Sequence, residues 1–157
     1  PARGADPGEF RVAAHAGAPP RPLARVASGG ELSRIALAIT TMAAQANPVP
    51  TLIFDEADAG VGGAVAQAAG ELVRSLGESR WGGGSTRVWC VTHLPQVAAK
   101  AHRHWRVSKN TVGRTTLSVI EPLERNARVD EIARMLGGAD ITATTRRHAR
   151  EMLAQSR

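Results

Sequence analysis

Apolar residues along this 157-residue chain change their spacing several times, and each change marks a predicted element. Over residues 30–46, Leu32, Ile35, Ala36, Ile39, Met42 and Ala43 recur at helical spacing and form one apolar stripe. Asn47-Pro48 ends that helix. Residues 49–54 (Val-Pro-Thr-Leu-Ile-Phe) are a short continuous apolar run, the pattern of a strand buried on both faces. A second helix is predicted over 62–76, with Val65, Ala68, Ala69, Leu72 and Val73 on its inner face and Gly77 stopping it. Residues 78–86, including Trp81-Gly82-Gly83-Gly84-Ser85, read as a loop. Val-Trp-Cys-Val-Thr at 88–92 is another buried strand. Strand, helix, strand in this order predicts a βαβ unit with parallel strands and a right-handed crossover. A short helix after Pro95, a hairpin of 104–109 and 115–120 around Gly113, and two helices complete the pattern. The first helix, over 129–136, stops at Gly137-Gly138; the second covers 142–153. The fold class is α/β. Residues 1–25 read as a poorly structured lead-in with one strand-like stretch at 9–14, since Pro19, Pro20 and Pro22 exclude a helix.

Composition adds limits. With 43% hydrophobic and 22% charged residues the chain suits one soluble domain with a real core. No apolar run approaches the ~20 residues that span a bilayer, and residues 1–7 have no signal-peptide pattern. Cys90 is the single cysteine, which rules out an internal disulfide and fits a reducing cytoplasm. The initial proline suggests a piece of something longer. The formal charge is +6 and the pI near 11.1, almost all of it from arginine, since Lys100 and Lys109 are the only lysines. Two readings stand: a polyanion-binding face, or a composition bias shared by a whole genome. Aromatic residues are scarce, which argues against a base-stacking platform.

Three short segments carry candidate chemistry. Ser28-Gly29-Gly30-Glu31 stands directly before the first helix. It is either a capping box, with Ser28 as cap and Glu31 reaching back, or a glycine-opened helix N-terminus that an anion can approach. Leu52-Ile53-Phe54-Asp55-Glu56 is a strand ending in two carboxylates. The bland reading is a solvated acidic turn. Against it, the C-terminal edge of a parallel sheet is where open α/β folds bind ligands. One carboxylate can hold Mg²⁺ through water while the other orients or deprotonates a water. The next parallel strand ends at Thr92, and His93 follows. Adjacent parallel strands would set Glu56 and His93 side by side, which favours a phosphate contact over a structural histidine.

With Asp58-Ala59-Gly60 after the acidic pair, the order resembles the ABC-type ATPases: signature, Walker B, D-loop and His-switch. The spelling is similar to the RecN family, the SMC-like repair ATPases. The resemblance rests on residues 27–34 (Ala-Ser-Gly-Gly-Glu-Leu-Ser-Arg), 53–61 (Ile-Phe-Asp-Glu-Ala-Asp-Ala-Gly-Val) and 92–98 (Thr-His-Leu-Pro-Gln-Val-Ala). Arg21-Pro22-Leu23-Ala24-Arg25-Val26 and Met135-Leu136-Gly137-Gly138 add to it, so most of 20–155 is covered. It implies a partial P-loop NTPase fold of the ABC/SMC-head type, with 26–157 as the C-terminal lobe. Ser28, Gly29 and Gly30, with Glu31, would meet the γ-phosphate of ATP held by a second head in a homodimer. Asp55 would serve Mg²⁺, Glu56 would polarise water, His93 would sense the γ-phosphate, and Asp58 would cross the head–head interface. The implied setting is cytoplasmic and nucleoid-associated, without a membrane, with DNA as partner and recombinational repair of double-strand breaks as the task.

The departures are equally plain. No Gly-x-x-x-x-Gly-Lys-Ser/Thr occurs in the 157 residues, so the phosphate-cradling loop and its lysine are missing. The family's N-terminal head half and coiled coil are missing too. The whole protein would be an ATPase, whereas this stretch alone is expected to be inactive. The alternative is a non-enzymatic module that docks on DNA or another head without turnover. A transporter ATPase fits Glu31-Leu32-Ser33-Arg34 and His93-Leu94-Pro95-Gln96 poorly. Cys90 reads as a small buried hydrophobe. His102 and His104 could share a strand face, but a third metal ligand is lacking. Arg146, Arg147 and Arg150 are either DNA contacts or a solvated charged face.

Overall fold

A computed structural model describes residues 8–13, 15–23, 29–46, 49–55, 58, 60–79, 86–138 and 140–156. The strands are β1 (Arg11–Val12), β2 (Arg21–Pro22), β3 (Thr51–Asp55), β4 (Arg87–Val91), β5 (Trp105–Val112) and β6 (Thr115–Pro122). The helices are α1 (Gly29–Ala46), α2 (Gly63–Glu78), α3 (Pro95–Lys100), α4 (Arg125–Gly137) and α5 (Ala143–Ala154). Among the described residues no helix is long and apolar enough to cross a membrane.

The βαβ unit is present: β3 and β4 pair in parallel, from Thr51 opposite Arg87 to Asp55 opposite Val91, with α2 between them in sequence. Paired residues in a parallel register share a face. Leu52, Phe54, Val88 and Cys90 therefore turn to one side, where they pack with Leu37 of α1 and Leu76 of α2. Ile53, Trp89 and Val91 turn to the other side and stay 72%, 49% and 58% exposed. The expectation of strands buried on both faces holds for one face only. Neither strand has a second neighbour among the described residues.

Helix α1 also departs from its pattern. Its buried positions are Leu37 and Thr41, whereas Leu32, Ile39 and Met42 of the apolar stripe are exposed. Thr41 enters the interior because its hydroxyl donates to the Leu37 carbonyl one turn back, at 2.7 Å. Helix α2 runs past Gly77 to Glu78. Ala66, Gly70 and Leu76 lie on its buried face, and Val65 is exposed instead. Gly70 is there because α3 passes close: a Cβ on it would stand 3.1 Å from the Val97 Cα. Gly77 does not end the helix, and a Cβ there would meet Val88 of β4 only at an ordinary contact distance of 3.7 Å.

The C-terminal elements form a second core. Ala98 and Ala99 of α3, Ile132 and Ala133 of α4 and Ala149 of α5 are buried together, with Val129, Met135, Leu136, Ile141, Met152 and Leu153 around them. Helix α4 begins at Arg125, earlier than its apolar spacing indicates, because its first turn is polar. Gly138 closes it at φ +73°, donating to the Arg134 carbonyl at 2.8 Å. Thr142 caps α5 in a reciprocal capping box with Thr145. The β5–β6 hairpin turns at Gly113, whose φ of +64° suits a two-residue hairpin turn. His102 and His104 precede β5 and do not share a strand face. His102 instead meets Glu78 at 3.0 Å.

Candidate functional site

The parallel register sets the geometry. Asp55 and Val91 are opposite partners at the ends of β3 and β4, so residues following each strand emerge at one sheet edge. Asp55 is exposed there, and His93, two residues beyond β4, is 72% exposed at its side chain. Glu56 and Ser28 lie outside the described residues. Gly29, Gly30 and Glu31 form the first turn of α1, as a helix N-terminus opened by glycines requires.

Asp58 holds this edge together. Its carboxylate is 1% exposed, and the Thr92 hydroxyl donates to Oδ2. Thr92 Oγ1 in turn accepts the Leu94 N–H at 3.0 Å, which shapes the chain leaving β4. On the other side the Asp58 carbonyl accepts the Val61 N–H at 3.2 Å, closing a turn in which Gly60 takes φ +70°. The remaining oxygen, Oδ1, lies 3.8 Å from His93 Nδ1 and has no hydrogen bond, although it is buried. One buried carboxylate thus joins the loop after β3 to the loop after β4. Protonation of the imidazole would complete an ion pair with it.

The same charge reaches into the sheet. Burial first, and the Asp58 carboxylate second, push the Cys90 thiol up to about 11. Cys90 is a protonated, inert group packed with Phe54 and Val88. The sequence pattern assigned roles to Asp55, Asp58 and His93 but none to Thr92, which makes the direct bond. A hydroxyl at the end of a strand, just before the candidate histidine, was the available signal. The Asp58 carboxylate, expected from the resemblance at a head–head interface, is buried in this chain with Thr92 as its hydrogen-bond partner.

The edge has the donor types a Mg–nucleotide site uses. Asp55 is an exposed hard oxygen ligand, His93 is an exposed imidazole, and the buried Oδ1 of Asp58 awaits a donor. Among the described residues there is no group of His, Cys, Asp and Glu able to hold a metal alone.

No family model matches the chain. Curated relatives do. It is 49% identical over 152 residues to the DNA repair protein RecN of Xylella fastidiosa (strain Temecula1), covering 97% of this chain and 26% of that protein. It is 46% identical over 150 residues to RecN of Vibrio cholerae, covering 96% and 26%. Against RecN of Bacillus subtilis it is 40% identical over 154 residues, covering 98% and 26%. A solved chain from work on the structural biochemistry of ATP-driven dimerization and DNA stimulated activation of SMC ATPases shares the fold. Its TM-score is 0.60 at 19% identity, covering 79% of this chain and 70% of that one. The α/β fold is shared with that SMC ATPase chain, and the chain belongs to the RecN family, spanning about a quarter of the length of its curated relatives.

Proposed function

We propose that residues 26–157 are the C-terminal lobe of a RecN-like ATPase head, with 1–25 as its lead-in. The lobe hydrolyses ATP only when joined to the N-terminal half of the head and paired with a second head. The parallel pairing that ends β3 at Asp55 opposite Val91 supports this reading, because it brings Asp55 to the same edge as the Thr92–His93 segment; Glu56 is the next residue of the chain. Asp55 would hold Mg²⁺ through water, and the ion would supply charge neutralisation on the phosphates. Glu56 accepts a proton from the attacking water, and His93, oriented by Asp58, contacts the terminal phosphate. Ser28, Gly29, Gly30 and Glu31 present the N-terminus of α1 to the nucleotide on the opposite head. The setting is the cytoplasm, at the nucleoid, in recombinational repair of DNA double-strand breaks.

The uncovered apolar surfaces favour a lobe over a self-sufficient module. Ile53, Trp89 and Val91 are exposed on the outer face of the sheet, and Leu32, Ile39 and Met42 are exposed on α1; exposed apolar side chains grouped on one face are what an interface covers. The test is a chimera in which this chain replaces the matching quarter of the Xylella relative. Glu56→Gln in it should lower ATP hydrolysis by ~10²–10⁴-fold, the usual contribution of a general base. ATP-dependent dimerisation should persist. Asp55→Asn should weaken nucleotide retention itself. Turnover of Glu56→Gln within a few-fold of the parent chimera would remove Glu56 from the role of base.

A further inference from the structure

Away from the sheet edge, a groove of about 830 Å³ opens where the C-terminal end of α3, the start of β5, the first turn of α4 and the end of α5 meet. His93 precedes the N-terminal end of α3, so the groove lies at the opposite end of that helix from the candidate site. Five arginines line it, Arg74, Arg103, Arg125, Arg128 and Arg150, against one carboxylate, Glu124.

Two of the five are committed to structure. Arg128 donates to the carbonyls of Ala98 at 3.3 Å and Ala99 at 3.1 Å, closing the end of α3. Arg74 pairs with Glu78 at 2.7 Å. Arg103, Arg125 and Arg150 are exposed and make no ion pair or side-chain hydrogen bond among the described residues. Glu78 offsets Arg74 and also meets His102 of the lining, and Glu71, Glu121, Glu131 and Asp130 neutralise basic neighbours outside the groove, so the local excess rests on Arg103, Arg125 and Arg150. Helix α4 adds to it: Glu124 at its N-cap makes no side-chain cap bond, and its first turn has no acid. The crowding shows in the titration of its members. Burial and the Arg128 charge lower the His104 pKa, and burial and the Arg74 charge lower that of Arg128.

We propose that this groove binds the phosphodiester backbone of DNA, with Arg103, Arg125 and Arg150 as the phosphate contacts. Guanidinium groups match phosphate oxygens in paired hydrogen bonds, and three of them with no competing carboxylate bond leave their donors for an incoming anion. The choice of DNA among polyanions rests on the proposed role in DNA repair; the charge geometry does not depend on it. The groove contains no residue assigned to ATP hydrolysis, so the two ideas fail separately.

The experiment uses the 157-residue chain and a fluorescein-labelled DNA duplex, read by anisotropy between about 50 and 200 mM salt. The triple variant Arg103→Ala, Arg125→Ala, Arg150→Ala should lose at least about tenfold in affinity. Its slope of log affinity against log salt should shrink by up to ~2.7, at ~0.9 for each phosphate that is no longer neutralised. The triple Arg87→Ala, Lys109→Ala, Arg114→Ala removes equal charge outside the groove and should change affinity less than about threefold. Equal losses from the two triples would reduce the effect to net charge and overturn the proposal. So would an unlabelled polyglutamate of matched charge that displaces the duplex as well as unlabelled DNA does, which would indicate an acidic protein partner. No duplex binding by the parent chain would overturn it as well. If circular dichroism shows that the groove triple unfolds, Arg150→Glu on the exposed face of α5 replaces it, with the same outcomes.

Discussion

The two cores of this protein are built from similar residues and finished to different degrees. Around Ile132, which is fully buried, α3, α4 and α5 bury Ala98, Ala99, Ala133 and Ala149 together, with six partly buried apolar side chains packed against them. Around Phe54, the β3–β4 pair is covered by α1 and α2 on one face only, while Ile53, Trp89 and Val91 face outward. The sole aromatic neighbour on that outer face, among the described residues, is Trp105, with ring centroids 6.1 Å apart from Trp89. The helical core is a completed hydrophobic unit, and the sheet core is half of one. The half-finished region is also the one bearing Asp55, Asp58 and His93, which suits a site assembled from more than one lobe.

The largest expected effect separates the two directly. Ile132→Ala removes a fully buried side chain from the closed core, which costs about 2–5 kcal/mol including the cavity left behind. Urea denaturation of the isolated chain should show an unfolding free energy lower by that amount, with the midpoint falling in proportion. A change below about 1 kcal/mol would mean that the helical core is not the more completed of the two.

A smaller effect comes from the buried carboxylate that ties the hairpin to this core. Glu131 is 6% exposed and accepts from Arg134 Nε at 3.0 Å, while Arg106 of β5 approaches at 3.9 Å. The Arg134 hydrogen bond holds the Glu131 pKa below its ordinary 4.5, outweighing the effect of burial, with the Arg134 and Arg106 charges adding to it. A carboxylate whose pKa is lower in the folded state stabilises above the unfolded value and loses that contribution as pH falls through the folded one. Stability should therefore fall with acidification below about pH 4.5. Glu131→Gln should flatten that part of the curve and cost ~1.5–3 kcal/mol at neutral pH, the range for a hydrogen bond to a charged group. An unchanged acid limb in Glu131→Gln would assign the pH dependence to other groups.

The contrast between the cores also explains what could be read from the chain beforehand. The parallel strands, the hairpin at Gly113 and the Gly138 stop were legible because each depends on local pattern or a single glycine conformation. The burial of α1 was not. Its longest apolar stripe, through Leu32, Ile39 and Met42, faces outward, and Leu37 with Thr41 faces in. Periodicity finds an apolar face but does not say whether this chain or another covers it. Asp55, Asp58 and His93 were visible as motif residues. Thr92 was part of the 92–98 motif but received no role, because a hydroxyl at a strand end has no distinguishing chemistry until two distant loops meet and it bonds Asp58.

The smallest expected effect in the isolated chain is the sharpest for the comparison. Ile53 is 72% exposed although it sits mid-strand between Leu52 and Phe54, which pack inward. Ile53→Ser should therefore move the stability of the 157-residue chain by no more than ~0.5 kcal/mol, the usual range at surface positions. In the chimera with the rest of the Xylella relative the same substitution meets a different environment. If the N-terminal half of the head covers this face, Ile53 becomes buried there, and burying an isoleucine is worth about 1.5–3 kcal/mol. The chimera should then lose stability by that amount while the isolated chain does not. Paired denaturation curves for both forms give the difference without reference to nucleotide or activity. Equal, small effects in the two would leave the sheet face open in the longer protein and remove the main physical support for a lobe completed by another. A large loss in the isolated chain would instead mean that the face is already covered, and the two cores would no longer differ in kind.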